Sequence, residues 1–115
     1  MSAITEILVL DWKGQKLEIK APMEVVNRIE NHDINLAIVA KEAAAGNAKL
    51  SHLATIMFLL LQAAGDDSTW RDIHAAMYGG GPLADEDVIK KSFQMLDLIY
   101  PQNSGGTKSK KKQQL

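Results

Sequence analysis

The chain has 115 residues, no cysteine and a formal net charge of −1, with 46% apolar and 23% charged residues. That length makes one domain burying roughly two-thirds of its unfolded surface around a single core. The lack of cysteine excludes a disulfide framework, a thiol nucleophile and a thiolate zinc site, in keeping with a reducing cytoplasm, and the near-zero charge favours neither nucleic acid nor a membrane surface.

Residues 1–6, MSAITE, carry no basic region ahead of a short apolar run, so no signal peptide is expected. A hairpin is predicted over 6–20. Ile7-Leu8-Val9-Leu10 and Lys16-Leu17-Glu18-Ile19 flank a turn at Lys13-Gly14, where glycine accepts positive φ without penalty. A two-residue loop there fixes the register. Leu8 faces Ile19, Leu10 faces Leu17 and Trp12 faces Gln15 on one face; Val9 meets Glu18 and Asp11 meets Lys16 on the other. Apolar pairs on one side and a charge pair on the opposite side suit a half-buried antiparallel pair, and a slip of one residue would destroy the pattern.

Pro22 suits a first helical position, and Glu24 faces the helix dipole in the first turn. Met23, Val25, Val26 and Ile29 give an amphipathic helix over 22–31, ending near Asn31-His32. Asp33 is the expected cap of a second helix over 34–45, with Ile34, Leu36, Ile38, Val39 and Ala43 as its apolar set and Gly46-Asn47 as its stop. The short connection that follows predicts antiparallel packing of this helix on the next.

The stretch LSHLATIMFLLLQAAG, from Leu50 to Gly65, is apolar on nearly every side. Such a helix is buried in a domain or a bilayer, and at about 12 to 14 residues it is short of the ~20 needed to span one. It is therefore the central helix, over 51–64, with Ser51 as its expected N-cap and Gly65 as its left-handed stop. Thr69-x-x-Asp72 resembles a capping box for a helix over 69–78, with Trp70, Ile73, Ala76 and Met77 on one face. Gly79-Gly80-Gly81-Pro82 is a break. Asp85 is the expected cap of the last helix, over 85–100, with Glu86/Lys90 and Asp87/Lys91 as i,i+4 pairs. Its expected buried stripe is Val88, Ile89, Phe93, Leu96 and Ile99 or Tyr100, and Pro101 ends it. Residues 102–115 have no apolar periodicity and read as a disordered, lysine-rich tail. The fold class is thus α+β and mostly helical, one globular domain over 1–101: an N-terminal hairpin and about five short helices around the central one.

The sequence carries no recognisable catalytic, cofactor-binding or metal-ligating constellation. His32, His52 and His74 lack helical ligand spacing and stand as surface or cap-adjacent residues. The glycine run has no Lys-Ser/Thr after it, as a phosphate-binding loop requires, and Asp66-Asp67-Ser68 lacks calcium-loop spacing. The chain reads as a non-enzyme. Lys108, Lys110, Lys111 and Lys112 form the one charge cluster. Four lysines without interleaved aromatics read as a solvated tail rather than a nucleic-acid contact. Ser51–Tyr78 has a helix-turn-helix outline, but its second helix offers only Arg71 as a strong base reader.

The order of elements carries a resemblance: hairpin, short helix ending Ile29-Glu30, Leu36-containing helix, Gly46, Leu50-Ser51 cap, apolar helix closing in Ala63-Ala64-Gly65, then the Thr69-Trp70 helix. Over about residues 5–78 this resembles the small tail assembly chaperones of long-tailed phages, especially the branch found in gene transfer agents. The resemblance implies a non-enzymatic morphogenesis factor of the host cytoplasm, absent from the mature virion and free of cofactors. It implies the tape measure protein as client, kept soluble and extended while tail tube subunits polymerise round it, with the tail tube protein a second partner and no membrane. It also implies a frameshifted longer product in many such genes, for which Lys110–Lys112 suits a slippery A-rich sequence. Met57, Phe58 and Leu61 are the expected partner contacts, since five short neighbours can leave a face of Ile56–Leu61 open to a client helix or to self-association. The alternatives are a small helical DNA-binding regulator, whose duplex affinity falls steeply with salt, and an adaptor subunit of a larger assembly.

Overall fold

A computed structural model of the chain describes residues 7–84 and 87–100. It is an antiparallel hairpin followed by five helices: β1 (Leu8–Trp12), β2 (Gln15–Ile19), α1 (Pro22–Glu30), α2 (Leu36–Ala44), α3 (Leu50–Ala63), α4 (Trp70–Ala76) and α5 (Val88–Ile99). The class is α+β, mostly helical.

The hairpin has the register read from the sequence, from Leu8 opposite Ile19 to Trp12 opposite Gln15. Lys13 and Gly14 take φ of 52° and 76°, the two positive values of the turn type that matches strand twist. Leu8, Leu10, Trp12 and Ile19 are buried on one face, while Val9, Asp11, Lys16 and Glu18 face outward. Lys16 Nζ donates to Asp11 Oδ1 at 2.7 Å, with both side chains about three-quarters exposed, so solvent screening leaves the pair little weight. Trp12 is buried, yet its Nε1–H has no hydrogen-bond partner among the described residues. Replacing it by Phe removes that orphan donor together with some apolar area. These two effects oppose each other, so Trp12→Phe shifts stability by less than about 1 kcal/mol in urea unfolding.

α1 begins at Pro22 as expected, with the Glu24 and Val25 amides donating to the Ala21 carbonyl. α2 begins later than expected. Its cap is Asn35, whose side chain accepts from the Ile38 amide at 3.2 Å. Asp33 instead sits in the preceding turn at φ 60°, a conformation Asp tolerates better than most residues. In α2, Leu36, Val39 and Ala40 are buried and Ile38, expected in the apolar set, is exposed. α2 was expected to pack on α3, but it makes its principal contact with α5.

α3 is the centre of the core. It packs against α1, α4, α5 and β2, and Leu53, Ala54, Ile56, Met57, Leu59, Leu60 and Leu61 are all buried. Lys49, rather than Ser51, occupies the N-cap position; the Ser51 carbonyl accepts from Thr55 Oγ1 at 2.9 Å. At the other end Gly65 takes φ 91°. Its amide donates to Gln62 and the Asp66 amide donates to Leu61, which satisfies two of the helix's last carbonyls. No helix among the described residues is long and apolar enough to cross a membrane.

α5 buries Val88, Leu96 and Ile99 of its expected stripe, but Ser92 and Met95 in place of Phe93. Phe93 and Tyr100 are each 38% exposed and Ile89 is half-buried. Ser92 can lie inside because its hydroxyl donates to the Ile89 carbonyl at 2.6 Å. The expected cap Asp85, its neighbour Glu86, Pro101 and the tail lysines lie outside the described residues.

Candidate partner-binding surfaces

Three partner contacts were expected on α3, and burial divides them. Met57 and Leu61 have no accessible surface, so they are core residues and touch no partner in the folded chain. The surrounding helices and the hairpin close those faces of Ile56–Leu61. Phe58 is half-buried. It belongs to the open strip of α3, which spacings of four, three and four make from Ser51, Thr55, Phe58 and Gln62. Self-association through Met57 or Leu61 is excluded for the same reason.

An aromatic row is fixed beside this strip. Thr69 caps α4 by accepting from the Asp72 amide at 3.1 Å, and the turn then places residues 70, 74 and 78 above one another. Trp70 and His74 stack with ring centroids 4.6 Å apart and 23° between planes; His74 meets Tyr78 edge-on at 5.2 Å and 80°. Trp70 Nε1 donates to Thr55 Oγ1 at 2.9 Å, and Thr55 donates onward to the Ser51 carbonyl. The first of these bonds ties the row to α3; the second, within α3, orients the Thr55 hydroxyl that accepts it. Trp70 is 37% and Tyr78 70% exposed. Trp70 therefore does not share one face with Ile73, Ala76 and Met77 as expected: those three are inside, and the indole is part-exposed. The W-x-x-x-H-x-x-x-Y spacing was visible in the sequence as a signal for this row.

A groove lies on another side, between α2 and α5. It holds about 400 Å³ and is lined by Ala40, Ala43 and Ala44 of α2 and by Lys90, Phe93, Gln94, Leu96, Asp97 and Tyr100. The small side chains of α2 leave the space that the rings of α5 border.

Among the described residues the remaining titratable groups gather into no reactive cluster. His32 is exposed, its Nδ1 2.8 Å from the Arg28 carbonyl at the end of α1. His52 is half-buried on α3, and His74 stands inside the aromatic row. Among the described residues no group of three or more His, Asp or Glu side chains could hold a metal ion. Asp66 Oδ2 accepts from the Ser68 amide at 3.0 Å, a turn-forming bond. Arg71 is exposed on α4, without a second base reader on that helix. Comparison of the chain with protein-family models, with curated proteins and with solved structures gives no match.

Proposed function

We propose that this chain is a non-enzymatic tail assembly chaperone that binds the helical tape measure protein in the host cytoplasm. It keeps that client soluble while the tail tube polymerises round it. The reading begins from the resemblance in element order. The observation that carries it further is the row Trp70–His74–Tyr78, tied to α3 through Thr55, with Trp70 and Tyr78 exposed. Aromatic side chains supply large contact areas from few rotatable bonds and dominate binding energy at interfaces. An amphipathic client helix meets such a row through residues spaced i, i+3, i+4 and i+7. A single contact of this size is weak, but a long client offers many, and neighbouring copies then coat it.

The role asked of the row is adhesive, so it uses no nucleophile or metal. Co-expression of the chain with a tape measure protein tests the reading. The client is expected in the soluble fraction with the wild-type chain and in the pellet without it. Equal insolubility in both cases removes the physical basis of the proposal.

A further inference from the structure

The α2–α5 groove differs from the aromatic row in the charges that line it. Lys90 and Asp97 are both exposed and lie one heptad apart on α5, within about 20° of each other round the helix. Phe93 and Gln94 stand midway between them, and Phe93, Leu98 and Tyr100 are each more than a third exposed. One helix thus carries a cation, an aromatic–amide centre and an anion in line along its outer face.

This pattern is complementary to itself read backwards. In an antiparallel pair, residues whose numbers share a constant sum lie opposite. The midpoint between Phe93 and Gln94 sets Lys90 against Asp97 of the other copy, and Asp97 against its Lys90. Each charge is then 3.5 residues from the axis, about 5 Å along the helix at 1.5 Å per residue. A two-fold contact needs one patch to satisfy itself in this way. On the α2 side of the axis the two grooves adjoin, so both Phe93 rings are covered at the centre.

We propose that the occupant of this face is a second copy of the chain, packed α5 against α5 in antiparallel two-fold symmetry with Lys90–Asp97 pairs on either side of the axis. The charges select the partner and its register, and the rings with the alanine-lined grooves supply the apolar contact. The dimer face and the aromatic row share no residue. The dimer is independent of the client reading, since it concerns another face and its measurement needs no client.

Sedimentation of the full chain over a range of concentrations tests this. The expected mass is twice the 12.6 kDa of one chain. Asp97→Lys sets lysine against lysine twice, Lys90→Asp sets aspartate against aspartate twice, and each weakens the dimer at least about tenfold. Both positions are on the surface, so far-UV circular dichroism stays that of the wild type. An equimolar mixture of the two variants restores the dimer, because every contact between an Asp97→Lys chain and a Lys90→Asp chain joins opposite charges. A wild-type chain that stays monomeric overturns the proposal. So does a dimer unmoved by either substitution, or a pair of variants that stays monomeric when mixed.

Discussion

A chain carrying Met57→Asp does not fold. Met57 is fully enclosed at the middle of α3, among the side chains that meet α1, α4 and α5. An unpaired carboxylate there costs several kcal/mol even if it takes up a proton, against a total stability of about 5–15 kcal/mol for a domain of this kind. Far-UV circular dichroism and urea unfolding read the outcome directly. Phe58→Asp, one residue on, gives a different result. Its side chain borders solvent, so the charge stays hydrated and the cost is about 1–3 kcal/mol of lost packing. A folded Phe58→Asp chain beside an unfolded Met57→Asp chain confirms which side of α3 is open. A stable, helical Met57→Asp chain contradicts the placement of the core.

The second large effect is on binding. Combining Trp70→Ala with Tyr78→Ser removes both exposed rings of the row. Two interface aromatics at about 2 kcal/mol each correspond to a loss of about two to three powers of ten in affinity for a client helix. The fold survives, because Ile73, Ala76 and Met77 still hold α4 against the core. Its thermal midpoint falls by only a few degrees, as a loss of about 1 kcal/mol in a domain of this size implies. Co-expression with the client separates the two effects: the doubly substituted chain stays soluble and the client does not. Client solubility unchanged by the double substitution assigns the contact to some other face.

The hairpin was legible to the residue because its side-chain period is two and a two-residue turn leaves one register that puts the apolar pairs together. α3 was legible because its apolar residues outnumber the narrow strip of Ser51, Thr55 and Gln62, and Thr69 and Gly65 marked their helix ends by chemistry with few alternatives. Helix phase was harder to read. Asp33 and Asn35 are both good caps two residues apart, and Ile38 lies next to Val39 on the edge of the apolar set, where only the packing of α2 decides its exposure. On α5 the sequence favours burying Phe93 over Ser92. The folded chain buries the serine, whose hydroxyl bonds its own helix, and leaves the ring at the edge of the groove. The partner face was obscured for a related reason. Met57, Phe58 and Leu61 are all apolar residues of one apolar helix, and only the positions of α4 and α5 decide which of them meets solvent. Trp70 read as a core residue by its size, since its bond to Thr55 joins residues 15 apart in sequence.

The chain has two tryptophans, Trp12 inside the core and Trp70 in the exposed row. On a Trp12→Phe background, indole emission therefore reports the proposed contact alone. Titration with a helical segment of the tape measure protein should shift Trp70 emission to shorter wavelength in a saturable way, as the ring leaves water. Client binding that leaves the Trp70 spectrum unchanged, or no binding at any concentration reached, contradicts the assignment of this surface to the client.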